Sequence, residues 1–131
     1  MITTEDMAQI IAGHLGAFNM PIFVKGHIPV TDYIPEEGRI TITPKEDSDG
    51  RIFNKCFCEV NFLLPDVNQE ANIELDVIER NAYSLFKDGY SGKHNGQWYD
   101  ITYSRRSRER EEKQKAHYVH LQLLFETLNT L

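Results

Sequence analysis

Residues 51–64 read RIFNKCFCEVNFLL, and polar and apolar side chains alternate through most of this stretch. The apolar set on one side is Cys56, Cys58, Val60, Phe62 and Leu64. Successive side chains of a β-strand point to opposite faces of a sheet, so the alternation predicts a strand that buries one face. The other elements can be placed relative to this strand.

A second strand is predicted upstream, over residues 39–43, where Ile40 and Ile42 share one side. Between the two strands lies the sequence EDSDG at 46–50. Its Asp-Gly step supplies the positive φ that a tight reversal needs. The two strands are therefore expected to form an antiparallel hairpin.

Two helices are predicted from apolar residues spaced three and four apart. The first covers residues 4–17, with Thr3 as its N-cap. The second covers residues 68–87, because Pro65 ends the strand before it and Gly89 stops it. Its solvent face is acidic and carries Glu70, Glu74, Asp76 and Glu79.

Three further strands are predicted, over residues 22–24, 98–103 and 116–127. A helix over 108–128 competes with the last strand, since Glu, Lys and Gln are good helix formers, but the period of two from His117 onward favours a strand. The sequence thus predicts an α+β fold in a single domain, residues 1–131. We expect one mainly antiparallel sheet of about four to five strands with two helices, in the order α-β-β-β-α-β-β.

The charge of the chain is negative and unevenly distributed. The 131 residues carry a formal net charge of −6, which argues against a nucleic-acid binder, because such proteins gather Lys and Arg. Residues 104–115 hold six cations against three glutamates, so this window carries +3 and the remainder −9. Such an asymmetry can pair one copy of the protein with another copy or with an outside partner.

The cysteines and the hydropathy indicate the expected compartment. The two cysteines, Cys56 and Cys58, share one side of a strand, where disulfide geometry is not easily reached, so we expect them to be reduced. We expect no leader peptide and no membrane partner, because no apolar run approaches the roughly 20 residues that span a bilayer. The expected location is the cytoplasm.

The sequence carries no signature of a catalytic site, such as a nucleophile elbow. Cys56 and Cys58 offer two thiolates, whereas a structural zinc site takes four ligands. His117 and His120 are three residues apart, which on a strand sends them to opposite faces. We therefore predict a protein that is not an enzyme and has no metal or other cofactor.

The basic window at 104–115 is predicted to be a charged loop between the last two strands. A solvated loop is one interpretation, and docking onto an acidic surface is the other, because loops of this length are uncommon in compact domains unless they have a role. The candidate subunit or partner contacts are Arg105, Arg106, Arg108 and Arg110 of the window and Glu70, Glu74 and Glu79 of the second helix.

The chain runs through an opening helix at Glu5–Phe18, a hairpin at Arg39–Leu64, an acidic helix at Asn68–Lys87 and two closing strands at Trp98–Ser104 and His117–Phe125. This plan resembles that of the tail terminator, or tail-completion, proteins of long-tailed bacteriophages. The resemblance implies a homo-oligomeric, hexameric ring that caps the tail tube, stops its polymerisation and offers a surface to head-completion proteins. It implies assembly in the host cytoplasm and then a place in the virion.

A hypothesis from a different class is a small enzyme or ligand-binding α+β domain. A deep pocket lined by convergent polar groups would favour this second hypothesis. Neighbouring genes for portal, head-joining and tail-tube proteins would favour the first.

Overall fold

The computed structural model describes residues 2–25, 27–29, 34–45, 55–66 and 70–127, and for residues 70–72 the backbone alone. The elements, in chain order, are α1 (Thr4–Gly13), a 3₁₀ turn (Gly16–Phe18), β1 (Ile22–Val24), β2 (Arg39–Pro44), β3 (Lys55–Pro65), α2 (Glu70–Phe86), β4 (Tyr90–His94), β5 (Gln97–Glu111) and β6 (Ala116–Thr127).

The six strands of the described residues form one mixed sheet in the order β1-β2-β3-β6-β5-β4. Strand β1 runs parallel to β2, and all other neighbours are antiparallel. The predicted α+β class and the mainly antiparallel sheet are confirmed. The predicted number of strands and the predicted element order are wrong, because β4, which lies between α2 and β5, was not foreseen.

Helix α1, which opens the chain, largely follows the prediction. Thr3 caps α1: its hydroxyl accepts a hydrogen bond from the Asp6 backbone N–H at 3.1 Å, and its own N–H donates to Asp6 Oδ2 at 3.0 Å. This reciprocal capping box satisfies two N–H groups that the helix leaves without partners. The helix ends at Gly13, earlier than predicted, and the 3₁₀ turn follows it.

The hairpin of β2 and β3 is confirmed in its antiparallel pairing, with Ile42 opposite Val60. The predicted Asp-Gly reversal at 46–50 lies outside the described residues. Both helices pack on one face of the sheet, and the opposite face is called the outer face below. The prediction that the strand at 51–64 buries one face is confirmed, since Cys56, Cys58, Val60 and Phe62 of β3 are buried between sheet and helices. The same face of β6 is buried with them, through Val119, Leu121, Leu123 and Phe125.

Strand β4 occupies a stretch in which no element was predicted. Its residues Ser91, Gly92 and Lys93 have no strand-forming pattern of their own. They are extended because they pair with the first part of β5 across a two-residue turn, Asn95 and Gly96, whose φ angles are 50° and 80°. These positive φ angles at both turn residues fit the tight turns that join antiparallel strands.

The prediction of a charged loop at 104–115 is wrong over most of its length. Strand β5 continues to Glu111, and only residues 112–115 form a turn. After a bulge between Tyr103 and Arg105, β5 pairs residue by residue with β6, which supplies partners for its backbone polar groups. The strand predicted at 116–127 is confirmed, and the competing helix over 108–128 is wrong.

Neither α1 nor α2, the helices of the described residues, has the length and apolar character needed to cross a bilayer.

Candidate interaction surface

The acidic residues of α2 and the basic residues of β5 meet within one chain. Arg106 Nε donates a hydrogen bond to Glu79 Oε2 at 2.9 Å, and Arg108 Nε donates to Glu79 Oε1 at 2.8 Å. Arg108 also reaches Asp76, with Nη2 at 3.0 Å from Oδ1. These four residues, Asp76, Glu79, Arg106 and Arg108, are called the α2–β5 clamp.

The local structure explains why these side chains face each other. Asp76 and Glu79 are three residues apart on a helix, so they lie on the same side of α2. Arg106 and Arg108 are two apart on a strand, so both point to the helix-covered face. The Arg106 guanidinium lies 4.6 Å from the centre of the Tyr83 ring, which holds it against the helix.

The charges of the clamp stabilise one another in their ionised forms. The hydrogen bond from Arg106 lowers the pKa of Glu79, and the hydrogen bond from Arg80 lowers the pKa of Asp76. Both carboxylates are therefore charged at neutral pH. Three of the predicted contact residues, Glu79, Arg106 and Arg108, thus have partners in their own chain.

Arg110 takes part in a second contact of the same kind. Its Nε donates to Asp66 Oδ2 at 3.2 Å, and Asp66 Oδ1 is hydrogen-bonded to His117 Nδ1. Asp66 follows the end of β3, so this group ties the start of the β3–α2 connection to the β5–β6 pair. His120 is hydrogen-bonded to Asn61, its partner on β3, whereas His117 is hydrogen-bonded to Asp66. These different contacts agree with the prediction that the two histidines point to opposite faces of the strand.

The other predicted contact residues are not part of the clamp. Glu74 is exposed on α2, and Arg105 is exposed on the outer face, on the opposite side of β5 from Arg106. Glu70 begins α2, and its side chain lies outside the described part of the chain. The structure therefore does not bring Arg105 and Glu74 together.

Helix α2 also exposes two apolar side chains that the sequence reasoning missed. Ile73 is 68% exposed and Val77 is 51% exposed, and the two are one helical turn apart. Both lie off the apolar stripe that contains Leu75 and Ala82 and packs on the sheet. Their position relative to that stripe was the sequence signal that could have identified them.

An open cavity of about 470 Å³ lies on the outer face. His120 lies at the cavity and is 8% exposed, and its Nδ1 is 2.7 Å from Asn61 Oδ1. Burial, together with the nearby Glu109 carboxylate, raises the pKa of Tyr118, which keeps its hydroxyl protonated. The lining residues are Glu59, Asn61, Arg105, Arg106, Ser107, Glu109, Tyr118 and His120.

The described residues contain no group of three or more His, Cys, Asp or Glu side chains arranged to hold a metal ion. Cys56 and Cys58 are reduced and buried in the core, on the same face of β3, as the alternation predicted, and the Cys56 thiol donates a hydrogen bond to the Lys45 carbonyl oxygen at 2.8 Å. Burial raises the pKa of Cys58, so this thiol stays protonated. A protonated, buried thiol is a poor nucleophile and a poor metal ligand.

The sequence matches no protein-family profile and no curated protein. Four solved chains match in structure. One of them shares 11% sequence identity with a TM-score of 0.54, over 92% of this chain and 88% of its own length. Its name states no function, and at this identity the likeness shows a common fold alone.

Proposed function

We propose that this chain is a structural subunit of a phage or prophage tail, a ring-forming tail terminator or head–tail joining protein. The tail assignment is supported by the order of elements, which resembles that family over most of the chain. The assembly role is supported by one observation above others: α2 presents Ile73 and Val77 to solvent side by side, next to the exposed Glu74.

A ring needs two different complementary surfaces on each subunit, joined head to tail. Apolar contacts supply most of the affinity at such interfaces, while exposed charges contribute mainly to orientation and association rate. The Ile73–Val77 pair is the apolar part of one of these surfaces. Because the clamp neutralises Glu79, Arg106 and Arg108 within the chain, we expect ring formation to depend on salt less than the charge pattern alone suggests.

The test replaces the exposed pair by charge, with Ile73→Glu and Val77→Glu in one variant. Gln9→Glu is the control for added negative charge, because Gln9 is exposed on the other helix, α1. Mass is measured by light scattering, with and without the tail-tube protein encoded by the same genome. We expect higher-order assembly in the wild type and the control, and its loss in the double variant while circular dichroism stays unchanged.

Reversal of Arg106 or Arg108 is a poor test of assembly, because it breaks the clamp and destabilises the fold itself.

The proposal fails if wild type and double variant have the same mass at every concentration and with every tail component. The outer-face cavity, with His120 and Asn61 at its wall, then favours the alternative of a small enzyme or ligand-binding domain. A screen of small polar ligands by thermal shift, compared between wild type and His120→Ala, tests that alternative.

A further inference from the structure

The last part of β5 is an open sheet edge. Strand β4 is the outer neighbour of β5, but it pairs only with residues 97–101. From Thr102 to Glu111, β5 pairs with β6 on one side and has no strand partner on the other side among the described residues. The N–H and C=O groups along such an edge are a template for pairing with another strand.

The edge pairs without a register shift over seven residues. A bulge sits between Tyr103 and Arg105, and beyond it residues 105–111 pair without interruption with 116–122. Natural sheets protect their edges by shortening them, by placing bulges within them or by repulsive charge. Here the bulge precedes residues 105–111, so this stretch is neither short nor interrupted by a bulge.

The charges of this stretch are arranged to complement a second copy. On the outer face lie Arg105, Ser107, Glu109 and Glu111, so positive charge comes first and negative charge last. Two copies that pair antiparallel about a two-fold axis perpendicular to the sheet bring residues of the same face opposite each other. An axis at Arg108 places Arg105 opposite Glu111, and an axis at Ser107 places Arg105 opposite Glu109.

The helix-covered face does not oppose this pairing. Arg106, Arg108 and Arg110 would approach their counterparts in the second copy, and like charges across a sheet repel. Each of these arginines already forms an ion pair within its own chain: Arg106 and Arg108 with Glu79, and Arg110 with Asp66. The repulsion is therefore largely cancelled before the two copies meet.

We propose that residues 105–111 of β5 form an antiparallel strand pair with the same residues of a second copy, giving a continuous sheet across a two-fold dimer. This contact joins identical surfaces, whereas the ring of the proposed function joins two different ones. The dimer therefore does not depend on the ring. Seven paired residues bury little surface, so the dimer is weak and depends on concentration.

The first experiment measures mass by light scattering and amide hydrogen exchange over protein concentrations from about 10 μM to about 1 mM. We expect the mass of the Ile73→Glu, Val77→Glu variant, in which the ring contact is removed, to rise towards twice the 15.2 kDa of one chain. Over the same range, alternate amides of residues 105–111 should gain protection, while amides of β3, paired on both sides, should not change. The same gain in the Ile73→Glu, Val77→Glu variant separates this contact from the ring.

The second experiment uses charge reversal at low salt. In the dimer, Arg105→Glu places a glutamate opposite Glu109 or Glu111 of the other copy, and the two-fold axis repeats this repulsive pair. The substitution should therefore weaken dimerisation about tenfold. Lys87→Glu is the matched control, since it makes the same charge change at an exposed site just beyond the C-terminal end of α2, outside residues 105–111. Adding Glu109→Arg and Glu111→Arg to Arg105→Glu should restore the dimer.

Each of the following results overturns the proposal. One is a mass that stays at one chain up to about 1 mM. Another is a dimer in which the protected amides lie outside residues 105–111. The third is equal weakening by Arg105→Glu and Lys87→Glu, or no recovery in the triple reversal while its circular dichroism matches the wild type.

Discussion

Val60 illustrates how single residues determine the stability of the sheet. Its side chain is fully buried, between Ile42 on β2 and Leu121 on β6. Val60→Asp places a carboxylate without a partner in this core, and we expect a loss of several kcal/mol in the free energy of unfolding, on the order of 3 kcal/mol or more. Urea denaturation measures the loss.

The matched control for this substitution lies on the same strand. Phe57 points to the outer face and is 43% exposed. Phe57→Asp adds the same charge in contact with water, so it should cost much less than Val60→Asp. Similar midpoints for the two variants would show that the assignment of the buried face is wrong.

His14 should make stability depend on pH. It follows α1, and its ring stacks on Tyr90 with 4.1 Å between ring centres. Burial lowers its pKa below the ordinary value of 6.5. The unfolded chain has the ordinary pKa of 6.5 at His14, and the folded chain has a lower one, so between these two values the unfolded chain binds more protons. The free energy of unfolding is therefore highest above pH 6.5 and falls as the pH drops below it.

The measurement is the urea midpoint at pH values from about 7.5 to about 5, for wild type and His14→Phe. The variant keeps an aromatic ring but cannot take up a proton, so its midpoint should change less over this range. Asp6, Asp76 and Glu79, whose pKa values are lowered, act at more acidic pH and do not interfere. An equal slope for both proteins would exclude His14 as the source.

The attachment of α2 to β5 is a property of two elements. Apolar packing of Leu75, Ala82 and Phe86 holds the helix on the sheet, and Glu79 adds the hydrogen bonds from two arginines. Glu79→Gln removes the charge and keeps the size of the side chain. Since the clamp is partly exposed to solvent, we expect a loss on the order of 1 kcal/mol or less.

Double-mutant cycles of Glu79→Gln with Arg106→Gln and with Arg108→Gln measure this coupling, and Glu74→Gln on the exposed side of α2 is the control. The hydrogen bond from Arg106 lowers the pKa of Glu79 below its ordinary value of 4.5. The ionised carboxylate therefore stabilises the fold above pH 4.5, and this stabilisation is lost as the pH falls through the lower pKa of the folded state. A coupling that persists unchanged below that pH, where the carboxyl is neutral, would contradict the ionic description.

At the scale of the whole molecule, we expect no dependence on metal ions. The two thiols lie in the core, and one of them has a raised pKa. Added EDTA should therefore change neither the melting temperature nor the mass in solution. A melting temperature that falls with EDTA and is restored by stoichiometric zinc would contradict this prediction and would direct attention to Cys56, Cys58 and the histidines.

Local patterns were sufficient for the elements that bury one face. The alternation at Cys56–Leu64, the spacing of three and four in α2 and the alternation from His117 onward each describe a single segment facing a core. Burial of apolar side chains enforces these periods regardless of which neighbour covers them. For this reason the sequence by itself determined the α+β class and the buried face of the sheet, while the Asp-Gly step between neighbouring strands predicted the antiparallel pairing of β2 with β3.

Only the tertiary structure decided the features that depend on a distant partner. Strand β4 and the charged half of β5 have no apolar alternation, and they are extended because β5 and β6 offer backbone partners to them. Likewise, Glu79 and Arg106 are far apart in sequence, so their charges predicted complementary surfaces but not that both belong to one chain. Sequence patterns report the burial of a segment, whereas strand pairing and ion pairs depend on which segments the fold brings together.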